Sequence, residues 1–118
     1  MKTIKVIVSD DDPAVNDSIS DQLESSGMKV VGKAYDGEEA FQLFTLHKPE
    51  VILVDLNMPN YDGHYAITKI KQEHPTAKII VVSGFLDKSF PVDKVSAVFS
   101  KPYDINELTN RIREITNS

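Results

Sequence analysis

The sequence predicts an α/β fold in which a parallel sheet is covered by helices on both faces. Three observations lead there. Short β-branched runs alternate along the chain with segments whose apolar residues recur at three- and four-residue spacing. Some of those runs, Val51-Ile52-Leu53-Val54 above all, are apolar throughout, as strands buried on both faces must be. Five strands alternate with five helix-like segments, without repeats, linkers or low-complexity stretches. A single domain over residues 1–118 is expected, long enough to build a core without disulfides or metal staples.

The elements follow in order. Ile4 to Ser9 is a β-branched first strand. Asp12-Pro13 reads as an N-cap followed by proline at the first helical position. Val15, Ile19 and Leu23 then form one apolar helix face, ended by Gly27. Met28 to Ala34 is a second strand, and Tyr35-Asp36-Gly37 a turn. Glu38 to His47 is a second helix with Ala40, Phe41 and Phe44 inward, closed by Lys48-Pro49. The third strand runs from Val51 and ends in Asp55; Pro59 and Asn60-Tyr61-Asp62-Gly63 turn the chain away.

Asp62 or Gly63 opens a third helix through about Glu73, burying Tyr65 or Ala66, Ile67 and Ile70, and His74-Pro75 stops it. Lys78 to Val82 is a fourth strand, closing on Ser83-Gly84. Between Phe85 and Val95, Pro91 interrupts any helix, so the fourth helix is expected to be shortened to one or two turns or irregular. Ala97 to Ser100 is a fifth strand before Lys101-Pro102. Asp104 with Glu107 starts a last helix whose apolar face is Ile105, Leu108, Ile112 and Ile115.

Composition excludes several classes of function. The chain has no cysteine, hence neither a disulfide framework nor a thiolate metal site. Its net charge of −5 and lack of a basic stripe argue against direct nucleic-acid binding. No apolar stretch approaches a membrane span, and Ile4 to Val8 is too short for a signal peptide, so a cytoplasmic location away from membranes is expected.

Strands one, three, four and five end at Asp10-Asp11, Asp55, Ser83 and Lys101. Parallel strands point the same way, so these residues gather at the carboxyl edge of the sheet, where open α/β sheets place their ligand crevice. Clustered carboxylates cannot all stay ionised cheaply without a cation, and Mg²⁺ is the natural oxygen-liking partner. With Lys101 and Mg²⁺ to neutralise oxygens and Ser83 to donate a hydrogen bond, Asp55 can attack phosphorus. Asp12 is read first as an N-cap, Tyr61 and Asp62 as turn residues, and His47, His64 and His74 as solvated surface.

Val-Ser-Asp-Asp-Asp-Pro, Val-Asp-Leu-Asn-Met-Pro-Asn-Tyr-Asp-Gly, Val-Val-Ser-Gly and Ser-Lys-Pro-Tyr, in this order and spacing, resemble the receiver domains of bacterial two-component response regulators. The resemblance implies the flavodoxin-like (CheY-like) doubly wound sheet of order 2-1-3-4-5. It further implies that Asp55 accepts a phosphoryl group from the phosphohistidine of a sensor histidine kinase or phosphotransfer protein. Asp10, Asp11, Asp55 and the backbone carbonyl of Asn57 would hold Mg²⁺, with Mn²⁺ able to substitute. Ser83 takes the place of the switch hydroxyl and Lys101 that of the family's lysine, with a cis bond to Pro102. Such a domain catalyses only its own phosphorylation and dephosphorylation, and signals to a downstream output domain or protein.

Two features depart from the family. Val98 stands where receivers usually carry an aromatic residue, and Phe99 should face the opposite side of the sheet. The connection from Ser83 to Lys101 is also short, which points to switching through the Gly84–Lys94 segment. Two other classes share parts of the pattern. A haloacid-dehalogenase-like phosphatase also forms an aspartyl phosphate, but wants an acid two residues after its nucleophile, where this chain has Asn57. A flavodoxin-type FMN carrier needs a phosphate cradle after strand one, where three aspartates would repel the ligand.

Overall fold

The computed structural model describes residues 3–84 and 92–117. Its strands are β1 (Lys5–Ser9), β2 (Lys29–Ala34), β3 (Val51–Val54), β4 (Ile79–Ser83) and β5 (Ala97–Ser100). The α-helices among the described residues are α1 (Pro13–Ser25), α2 (Gly37–His47), α3 (Gly63–Glu73) and α4 (Ile105–Thr116). All strand pairs are parallel, and the spatial order is β2-β1-β3-β4-β5.

The core divides by strand parity, because successive side chains leave opposite faces of a strand. Ile7, Ile52, Val54, Ile79 and Val81 pack with Ala40 and Phe44 of α2 and with Ala66, Ile67 and Ile70 of α3. Val6, Val8, Val51, Leu53, Ile80 and Val82 pack with Ile19 and Leu23 of α1 and with Leu108 and Ile112 of α4. β3 and β4 are buried along their whole length, which is why both read as unbroken apolar runs. Val98 packs into the first layer and Phe99 into the second, so the aromatic ring faces α1 and α4 as its register demands.

Local chemistry sets the helix ends. Asp12, Asp36, Asp62 and Asp104 are the four N-caps, each accepting backbone N–H bonds from the first turn of its helix. After α1, Gly27 adopts φ +90; its N–H bonds the Glu24 carbonyl at 3.0 Å and the Met28 N–H the Leu23 carbonyl at 3.1 Å. That pair of bonds is a Schellman closure, which favours glycine at this position.

Some expectations need correction. His74 is not a solvated surface residue. It caps the end of α3 against α2, its ring centroid 5.1 Å from that of Phe44, and its Nε2 lies 3.1 Å from Thr45 Oγ1. His64 is half-buried, its Nδ1 3.6 Å from Asp62 Oδ2, whereas His47 is exposed. Gly37 belongs to α2 rather than to the turn before it, because Asp36 caps the helix there. The shortened or irregular fourth helix falls mostly on residues 85–91, outside the described residues; next to them, Val92–Lys94 form a single 3₁₀ turn.

The Tyr65 hydroxyl donates to the Glu38 carboxylate and ties α3 to α2. That bond, then burial and the charges of Glu38 and Tyr61, pushes the phenol up to about 12. The folded value lies above the unfolded one of about 10, so the neutral phenol is favoured in the fold. Its stabilising contribution is present below about pH 10 and is lost as the pH rises through about 12. In an ultraviolet titration Tyr65 is expected to ionise near pH 12, and to ionise earlier in Glu38→Gln. Tyr103 is also raised, chiefly by burial, and serves as the internal comparison because it does not touch Glu38. An identical curve for the variant would refute the coupling.

Candidate functional site

The ladder bonds of the sheet continue one residue past the strand ends, and this pins the backbone of Asp10, Asp55 and Lys101. Asp10 N–H bonds the Ala34 carbonyl at 3.0 Å, Asp55 N–H the Ser9 carbonyl at 3.0 Å and Lys101 N–H the Ser83 carbonyl at 2.9 Å. Ser83 is itself the last residue of β4. Side chains starting from four neighbouring strands therefore converge at the carboxyl edge of the sheet.

Asp55 is bonded through both of its oxygens. Oδ1 accepts from Ser83 Oγ at 3.1 Å and from the Asn57 backbone N–H at 3.0 Å, while Oδ2 accepts from Lys101 Nζ at 3.1 Å. Lys101 also reaches Asp10 Oδ2 at 2.5 Å, so one ammonium bridges two carboxylates. The Asp12 N–H donates to Asp10 Oδ1 at 3.0 Å. The bond between Lys101 and Pro102 is cis, which agrees with the resemblance.

Asp10, Asp11 and Asp55 each offer a carboxylate oxygen, and these lie within 4.8 Å of one another. Asp10 and Asp55 are buried and Asp11 is exposed. Burial pushes the Asp10 carboxyl above the usual value, outweighing the lowering effects of Lys101 and the Asp12 amide. Burial alone would depress the Lys101 ammonium, yet its bonds to Asp10 and Asp55 hold it above the ordinary lysine value. When all are ionised, three carboxylates against one ammonium leave two negative charges uncompensated. An all-oxygen donor set with that deficit fits a hard divalent cation such as Mg²⁺.

The structure thus brings together Asp10, Asp11, Asp55, Ser83 and Lys101, all named from the sequence. Asn57 stands beside them through its backbone N–H, and its side-chain Nδ2 lies 3.5 Å from Ser83 Oγ. Asp12 caps α1, accepting from Ala14 N–H at 3.0 Å and Val15 N–H at 3.4 Å. Sequence reasoning missed Asn16, which is fully buried behind the acidic loop. A signal was present, since Asn16, Ile19, Ser20 and Leu23 form one buried stripe at helical spacing.

Gly63 is forced by close packing. A Cβ there would press into the Asp55 carbonyl oxygen and stand 2.7 Å from the Leu56 Cα. Backbone cannot give way as a side-chain end can, so Gly63→Ala is expected to destabilise by about 2 kcal/mol. Urea unfolding would measure the loss; a change below about 0.5 kcal/mol would mean that the approach is looser than described.

The response regulator receiver domain model matches residues 6–113. The chain is 31% identical over 124 residues to the transcriptional regulatory protein PdtaR of Mycobacterium tuberculosis, covering 95% of this chain and 60% of that protein. It is 28% identical over 117 residues to the chemotaxis protein CheY of Bacillus subtilis, covering 96% of this chain and 98% of that one. The response regulator domain of Thermotoga maritima CheB superposes with a TM-score of 0.88 at 29% identity, covering 99% of this chain and 98% of that one. The chain therefore spans little more than half of one regulator and nearly all of another. Neither the haloacid-dehalogenase-like nor the FMN-carrier reading finds support in these relationships. A family model matching from β1 through most of α4, with relatives of the same kind over nearly the whole chain, shows that the chain belongs to the response regulator receiver domain family.

Proposed function

We propose that Asp55 is the phosphoacceptor of this receiver domain, with a phosphohistidine of a sensor histidine kinase or phosphotransfer protein as donor. The observation that carries this reading is the bonding of Asp55, with Lys101 on one carboxylate oxygen and Ser83 with the Asn57 N–H on the other. In the reaction an Asp55 carboxylate oxygen forms a bond to phosphorus as the P–N bond to the donor imidazole breaks. The imidazole leaves with the bonding electron pair and is then protonated from solvent.

Lys101 supplies positive charge beside the transferring group, and the Ser83 hydroxyl a hydrogen-bond donor. Asp10 and Asp11, with Asp55 and the Asn57 carbonyl, would hold Mg²⁺, with Mn²⁺ able to substitute. Bound there, the ion would supply charge neutralisation to the phosphoryl oxygens. Loss of the phosphoryl group by attack of water returns Asp55, so the domain catalyses only its own phosphorylation and dephosphorylation. Phosphorylation of Asp55 changes the acceptor that the Ser83 hydroxyl meets, and that hydroxyl is proposed to turn toward the phosphoryl group. Val98 has no ring to carry that movement across β5, so the signal to an output domain or protein is proposed to pass through the Gly84–Lys94 segment, of which residues 85–91 lie outside the described residues.

The test is direct. Incubation with acetyl phosphate and Mg²⁺ should add one phosphoryl group by intact mass, and chelation of the metal should prevent it. A protein that gains no phosphate under any divalent cation would refute the proposal.

A further inference from the structure

Asn16 lies on α1, away from the reacting groups, and is fully buried. Its carboxamide nitrogen lies 3.2 Å from the Val8 carbonyl, 3.2 Å from the Asp10 carbonyl and 3.0 Å from the Ala34 carbonyl. Two N–H groups thus serve three acceptors, one of them shared. The three carbonyls can only accept, which fixes the way the amide faces, and Ser20 Oγ then donates to Asn16 Oδ1 at 3.3 Å. Such a buried polar group is conformationally specific, because turning the amide over would set its oxygen against carbonyl oxygens and forfeit these bonds.

The Asp10 carbonyl belongs to the peptide unit that joins Asp10 to Asp11. Holding its oxygen sets the plane of that unit, and therefore the direction in which Asp11 leaves the chain. Asp10 has other anchors: its N–H to the Ala34 carbonyl, the Asp12 N–H on Oδ1 and Lys101 on Oδ2. Asp11 is exposed, and among the described residues no hydrogen bond or ion pair holds its carboxylate. Its place in the acidic cluster rests on the backbone alone.

We propose that Asn16 is a positioning residue for the divalent-cation site: by fixing the Asp10–Asp11 peptide it places the Asp11 carboxylate beside Asp10 and Asp55. This rests on the reading that Asp10 and Asp11 hold Mg²⁺. Asn16 touches neither the metal nor the phosphoryl group, and acts through the peptide it holds.

The experiment titrates Mg²⁺ alone into the metal-free protein and follows heat and backbone amide shifts. Asn16→Leu, close in shape but without donors, is expected to weaken Mg²⁺ binding about tenfold, the lower end for groups that orient metal ligands. Asn16→Ala should act in the same direction. Ile112→Val, a core truncation in the α1 and α4 layer, should lower thermal stability while leaving Mg²⁺ affinity unchanged.

In the wild-type protein the Asn16 carboxamide protons should shift as Mg²⁺ binds, a readout that does not depend on any variant folding. Mg²⁺ affinity in the Asn16 variants equal to that of wild type, or carboxamide signals indifferent to Mg²⁺, would overturn the proposal. A wild-type protein that takes up no Mg²⁺ would instead overturn the site reading on which it rests.

Discussion

Asp55→Asn is expected to abolish phosphoryl uptake from acetyl phosphate in the presence of Mg²⁺, reducing it to background while the fold persists. Asparagine keeps an oxygen that can accept from Ser83 Oγ and the Asn57 N–H, the two bonds now made to Oδ1. It lacks the anionic oxygen that attacks phosphorus, and an amide is a far weaker nucleophile. With the oxygen so placed, the new NH₂ group faces Lys101 Nζ, which keeps its bond to Asp10. One lost charge-assisted bond should change stability by no more than about 2 kcal/mol. Intact mass and peptide mapping check both parts; undiminished phosphate in the variant would remove Asp55 from the acceptor role.

Lys101→Met should have the largest effect on stability. The side chains of Asp10 and Asp55 are only 3% and 9% exposed, and Lys101 is their shared cation. Methionine keeps much of the side chain's length and removes the charge, leaving two buried carboxylates facing each other. Breaking a buried pair by deleting one partner costs about 3 kcal/mol, far more than an exposed pair is worth. In metal-free buffer near neutral pH the variant should lose about that much in chemical denaturation. Added Mg²⁺ should restore part of it, since a ligand that binds only the folded state stabilises it. Phosphorylation should also be slowed, for want of positive charge beside the transferring group. A stability loss below about 1 kcal/mol would show that solvent, rather than Lys101, screens these carboxylates.

Much of this protein was legible in its residues because the relevant signals are local. The unbroken apolar runs of β3 and β4, the apolar stripes of α1 and α4 at helical spacing and the N-caps Asp12 and Asp104 are each carried by residues close together in the chain. Once the strands are parallel, Asp10, Asp55, Ser83 and Lys101 must share one edge, whatever the details of packing. What tertiary structure alone decided is which distant groups meet, because no periodicity records a pairing between separate segments. Lys101 bridges Asp10 and Asp55 across 91 and 46 residues of sequence. His74 settles against Phe44, Tyr65 bonds Glu38, and Gly37 and Gly63 face neighbouring backbone too close to admit a Cβ. Asn16 illustrates the boundary: its place on the buried stripe is a local fact, but the three carbonyls that use its amide become neighbours only when β1 and β2 pair beneath α1.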